Sequence, residues 1–280
     1  MKIFVTFSND YYRQAREFNT WTAIKIAGFD KTYSLTPKDI DEKFKSKNEK
    51  ILSYPKGAGL WLWKPWAVKY ALDRASDGDY VFYTDAASFW VNKVDHIIHA
   101  MTQDIWICEN SLIEEQFTKP ILFKLMDCEE LRYRKTRQRP AIFIGIRKTP
   151  ISEKVISEWL EYCQQEEYIK PEDERDINEG INVGFISHRE DQSILSLITK
   201  KYEIEAHMAP SLSGRHPEFE IFPGAKYLPT KHKIEYPICI IHHRERTIKI
   251  GMLLKNLLML LMPSFLISLY AKRKVKETKS

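Results

Sequence analysis

Cysteine is scarce in this chain. The four present, Cys108, Cys128, Cys163 and Cys239, stand far apart and form none of the paired spacings of a zinc site. That argues against both a cysteine metal site and a disulfide framework, and for buried or free thiols in a reducing compartment. Internal repeats and low-complexity linkers are also missing. So is the interleaving of basic and aromatic residues that marks a nucleic-acid module, so no nucleic-acid partner is expected. Gly57-Ala58-Gly59 lacks the spacing and partners of the dinucleotide fingerprint or the P-loop. At the N-terminus, Met1-Lys2-Ile3-Phe4-Val5-Thr6-Phe7 runs directly into polar sequence. It is too short for a secretory leader and reads as the first buried strand of a cytoplasmic domain.

What is present suits one substantial core: 280 residues, 44% hydrophobic and 29% charged. Short apolar runs alternate with helical patterns. Strands are expected at residues 3–7, 32–35, 80–83, 105–108, 142–146 and 237–241. Helices are expected from Tyr11 to Ala27 (ended by Gly28), after Pro65, over 94–101, from Ser152 to Gln164 with Ser152 as cap, and from Asp191 to Lys201 with Asp191 as cap. Residues 38–51 read as a surface helix or loop and 166–179 as a charged loop. The alternation predicts an α/β fold with a mixed, mostly parallel sheet flanked by helices.

Four places carry candidate chemistry. Asp85 follows the strand Tyr80-Val81-Phe82-Tyr83 and so stands where ligands of open α/β sheets bind. A carboxylate there holds either a divalent metal with a diphosphate or only a turn. His242 and His243, with Arg244, end the last strand; adjacent side chains diverge, so one of the pair faces the cleft. Asp191-Gln192 opens a helix beside His188, Arg189 and Glu190, a denser polar cluster than capping alone needs. Lys64 lies within Trp61-Leu62-Trp63-Lys64-Pro65-Trp66, as either a ligand contact or a solvated lysine beside core tryptophans.

Taken in order, Gly57 to Pro65, Gly78 to Ala86, Asp191-Gln192-Ser193 and His242-His243-Arg244 resemble a group of bacterial polysaccharide-cluster glycosyltransferases. Their layout is similar to GT-A enzymes of the glycogenin and lipooligosaccharide galactosyltransferase type. The resemblance covers roughly residues 1–245 and implies a GT-A-like fold that moves a hexose from a nucleotide-sugar donor to a glycan or glycolipid acceptor. It implies that Asp85 binds a divalent cation, Mn or Mg, with His242 or His243. Lys64, Thr6 and Tyr83 become donor-side residues, and Asp191 and Gln192 fall near the reacting sugar carbon. Those enzymes carry Tyr-Leu-Asp-Ala-Asp, whereas Tyr83-Thr84-Asp85-Ala86-Ala87 has alanine in place of the second aspartate. A non-catalytic, membrane-docked module with a degenerate GT-A fold is the alternative.

Beyond residue 245 the sequence changes character. Gly251 to Tyr270 is mostly apolar, interrupted by Lys255, Asn256 and Pro263, and Lys272, Arg273, Lys274, Lys276 and Lys279 follow. An apolar helix with a polybasic end suits a helix lying on the inner face of the cell membrane. Residues 246–280 are therefore expected to be a membrane-associating segment, with a buried core helix as the other reading.

Overall fold

A computed structural model describes residues 1–173, 184–219, 222–228 and 236–277. Part of the charged stretch expected to be loop, 174–179, lies outside them.

Six strands form the main sheet: β1 (Lys2–Phe7), β2 (Lys31–Leu35), β3 (Tyr80–Thr84), β5 (Ile105–Glu109), β6 (Phe143–Arg147) and β7 (Ala206–Met208), in the order β2-β1-β3-β6-β5-β7. β1 pairs parallel with β2 and β3, and β5 pairs parallel with β7. β6 runs antiparallel to both its neighbours. The sheet is thus mixed and mostly parallel, with helices on both faces, as the α/β, GT-A-like reading expects.

Alternation along each strand builds two cores, because successive side chains leave opposite faces. Ile3, Val5 and Phe7 of β1, with Val81 and Tyr83 of β3, enter a largely aliphatic core. The helices Trp63–Leu72, Pro150–Cys163 and Glu190–Lys201 cover that face. Phe4, Phe82, Trp106 and Phe143 point the other way into an aromatic core with Phe29 and Trp90. Their rings meet mostly edge-on or tilted, as at Phe29–Trp90 (5.1 Å) and Trp106–Phe143 (5.2 Å). Gly145 pairs with both Phe82 and Trp106 on this face. A Cβ on Gly145 would stand 2.6 Å from the Phe82 ring, so the glycine makes room for the aromatic layer.

The last strand differs from the expectation. Ile240–His242 (β8) leaves the main sheet and pairs antiparallel with β4 (Ser88–Trp90), setting His242 opposite Ser88. Both expected helix caps also change. Thr149 caps the Pro150–Cys163 helix, accepting from the Ser152 backbone N–H, while Ser152 returns the bond in a capping box. The Glu190–Lys201 helix has Arg189 at its cap position with no side-chain cap, because the Asp191 carboxylate turns inward to a lysine instead. The C-terminal segment is two helices, Ile250–Leu261 and Ser264–Glu277, broken at Pro263, rather than one. Met259 and Ile267 pack with Leu212 on the domain. No helix among the described residues is long and apolar enough to cross a membrane.

Candidate active site

Parallel pairing sends the carboxyl ends of β1 and β3 to the same edge of the sheet. A cavity of about 990 Å³ opens there, lined by Phe7, Ser8 and Asn9 after β1 and by Asp85, Ala86 and Ala87 after β3. Tyr12, Trp61 and Trp63 add aromatic faces.

The strand end carrying Asp85 is held from below. Thr6 Oγ1 donates to the Thr84 carbonyl (2.9 Å), and Asn19 Nδ2 donates to Thr84 Oγ1 (2.8 Å) and the Asp85 carbonyl (3.1 Å). Asn19 was not visible as a site residue; a fully buried asparagine inside a helix is its only signature, and burial is not written in sequence. Thr6 itself is buried behind the strand and supports the floor rather than lining it.

Lys64 joins the two acidic candidates. Its Nζ lies 3.1 Å from Asp85 Oδ1 and 3.5 Å from Asp191 Oδ2, and Tyr83 donates its hydroxyl to Asp85 Oδ1 at 2.7 Å. The Lys64 and Asp191 side chains are 6% and 4% exposed, whereas that of Asp85 is 33% exposed and meets the cavity. Burial works against the Lys64 ammonium, but Asp191 and Asp85 outweigh it and raise its pKa. Burial lifts Asp191 to about 7 even against the nearby Lys64. It also pushes Tyr83 well above the usual tyrosine value, with Asp85 adding to the rise.

The small sheet delivers the histidines. His242 Nδ1 shares a 2.9 Å hydrogen bond with Ser88 Oγ, and its Nε2 is buried without a hydrogen-bond partner. Burial drops His242 to about 4, a fall that Asp85 only partly resists. The backbone N–H of His243 donates to the Ala87 carbonyl (2.8 Å), and His243 and Arg244 line the cavity. Gln192 stands apart, donating its amide to Gln138 Oε1 at 2.8 Å.

The tryptophan block reaches the site through unusual backbone. Gly57, Ala58, Gly59, Leu60 and Trp61 have φ of +62°, +50°, +97°, +53° and +60°, a left-handed helical turn. Each L-residue there costs about 1–2 kcal/mol. Trp61 folds over Gly57, where a Cβ would meet the indole at 2.3 Å, and at Gly59 a Cβ would stand 2.9 Å from the Leu52 Cα. Trp63 donates its indole N–H to the Gly57 carbonyl (2.9 Å) and stacks on Phe7, centroids 4.6 Å apart. Lys56, just before the turn, reaches Glu190 Oε1 at 2.6 Å, and Glu190 is also left-handed (φ +37°). Strain of this kind is retained where surrounding contacts over-determine it, commonly beside a site.

The divalent cation implied by resemblance needs oxygen or nitrogen donors that converge and are free. Here Asp85 Oδ1 already receives an ammonium and a phenol. Among the described residues no group of three or more His, Cys, Asp or Glu side chains comes together as a metal site. The set Asp85, His242 and His243 does not fit a resident ion.

No family profile matches the chain, and no curated protein matches its sequence. Among solved structures it is similar to apo mouse xyloside xylosyltransferase 1, with TM-score 0.46 and 9% identity over 89% of this chain and 100% of that one. It is also similar to the apo bifunctional glycosyltransferase WbbM (TM-score 0.39, 10% identity, 70% of this chain and 36% of that one). A third is the apo glycosyltransferase GlyE of Streptococcus pneumoniae TIGR4 (TM-score 0.40, 12% identity, 78% of this chain and 47% of that one).

Proposed function

We propose that this chain is a glycosyltransferase that moves a hexose from a nucleotide sugar to a hydroxyl of a saccharide acceptor. The observation that carries the reading is the cavity at the shared carboxyl edge of β1 and β3, with a carboxylate in its floor and aromatic faces in its wall. Its size is at the upper end for a small-molecule site, of which roughly 300–1,000 Å³ is typical. Tyr12 and Trp61 offer flat faces to a base or sugar ring. Asp85 contacts the donor, and Lys64 and Tyr83 hold that carboxylate in one orientation. The resemblance assigns Asp191 to the sugar carbon; Asp191 lies buried behind Lys64 and acts through it, and Gln192 braces the Asp191 helix through Gln138.

The acceptor in this reading sits at an anionic lipid surface. Leu254, Leu258, Leu261, Phe265 and Leu269 of the C-terminal helices are exposed, a larger apolar surface than scattered side chains make. The basic run from Lys272 to Lys279 continues from it. Leu258→Glu with Leu261→Glu in the full chain is expected to abolish sedimentation with phosphatidylglycerol vesicles; undiminished sedimentation would remove the lipid assignment.

The test of transfer is turnover of a panel of UDP- and GDP-sugars, with free saccharides as acceptors. At least one sugar is expected to be consumed, and Asp85→Ala to lower that rate by roughly 10²-fold or more. A purified chain that binds and consumes none of them ends the enzyme reading.

A further inference from the structure

The place in the floor where a bound ion would be expected already has a positive charge. A divalent ion that bridges a diphosphate must be held by side chains with uncommitted lone pairs. After β3 the candidates are Asp85 and position 87, and position 87 is alanine, with nothing to donate. Asp85 Oδ1 is shared between Tyr83 Oη at 2.7 Å and Lys64 Nζ at 3.1 Å, and Asp191 Oδ2 lies 3.5 Å from the same ammonium. His242 adds one nitrogen, its other being given to Ser88, and His243 adds a ring with no hydrogen-bond partner at either nitrogen. These donors do not converge as a group of three among the described residues.

The ammonium also neutralises the Asp85 charge that would draw a second cation. We infer that Lys64 is the resident cation of this site and that the chain binds a nucleoside diphosphate without a divalent ion. Lys64 keeps Asp85 from presenting a bare negative charge to the phosphates, while Arg244 and His243 on the cavity wall face them directly. The inference rests on the nucleotide-donor reading above.

Two measurements on the full chain separate the questions. The first is the electron paramagnetic resonance signal of free Mn²⁺, followed as protein is added without nucleotide. The signal is expected to stay unchanged with the wild-type chain, and to fall with Lys64→Met, which releases both carboxylates. Wild-type uptake of Mn²⁺ that Asp85→Asn abolishes would overturn the inference, and that arm does not depend on Lys64→Met folding.

The second is quenching of tryptophan fluorescence by UDP and by GDP, since Trp61 and Trp63 line the cavity. Affinity in EDTA is expected to lie within about twofold of that in Mn²⁺. A loss in EDTA of about tenfold or more, or about 1.4 kcal/mol, would overturn the inference. Quenching by neither nucleotide in either buffer would instead overturn the donor reading, and the inference with it. The nucleotide-free manganese arm distinguishes that failure from metal dependence.

Discussion

Two buried lysine–carboxylate groups meet the Glu190–Lys201 helix, one through Lys200 and one through Asp191, and they are built differently. At the sealed one, Glu114 is fully buried and every lone pair has work. Its Oε1 accepts from Thr118 Oγ1 (2.5 Å) and Gln138 Nε2 (3.3 Å), and its Oε2 from Ser196 Oγ and from Lys200 Nζ (2.7 Å). Lys200 also donates to the Tyr133 carbonyl at 3.1 Å. At the open one, Lys64 holds two carboxylates at 3.1 and 3.5 Å, and Asp191 Oδ2 has no hydrogen bond beyond that looser ion pair. A saturated network fixes the fold, whereas one with slack keeps charge for a ligand. Glu114 ties the 110–139 connection to its helix; Asp85 faces a cavity, with Lys64 buried behind it.

The comparison breaks if the two groups respond alike to losing a partner. Glu114→Ala leaves the Lys200 ammonium buried and uncompensated, and is expected to cost about 3–5 kcal/mol in urea unfolding. Lys64→Met is expected to cost less, about 1–2 kcal/mol, because Asp85 is partly hydrated and Asp191 can take up a proton. Its larger effect falls on nucleotide affinity in EDTA. Equal stability losses would mean that the Lys64 group is structural too.

Strand positions were legible because β1 and β3 are apolar on both faces, which only a doubly covered sheet requires. Asp85 was legible for the same reason, as the first acid after such a strand. Strand direction was not: nothing in Phe143 to Arg147 says that β6 runs opposite to its neighbours. The left-handed turn was half legible. Gly57 and Gly59 announce backbone freedom, but Ala58, Leu60 and Trp61 share the conformation without any compositional sign of it. The Lys64–Asp191 pair joins residues from different helices, so sequence could offer each as a candidate and never as partners. Asp191 looked like a cap because capping is what an aspartate at a helix start does by default. Tertiary charge pairing overrode that preference.

The smallest effects sharpen the comparison most, since they read the floor without dismantling it. Asp191 rises from its ordinary 3.8 to about 7 in the fold, so the folded chain holds a proton that the unfolded chain releases. Its contribution to stability is therefore complete below about pH 4 and is lost as pH rises toward 7. Asp191→Asn removes that decline, so the variant gains on the wild type as pH climbs through this window. His242 has the opposite sign. It falls from 6.5 to about 4, so its neutral ring favours the fold at higher pH, and stability rises from about pH 4 to 6.5. His242→Gln removes that rise and loses ground against the wild type over the same interval. Each slope is expected at no more than about 1.4 kcal/mol per pH unit, the full effect of one proton. Urea midpoints at half-unit steps of pH would show two difference curves of opposite slope. Parallel curves would mean that the carboxylate and the imidazole are not both desolvated beside the cavity, and the open charge group would lose its claim to be built differently from the sealed one.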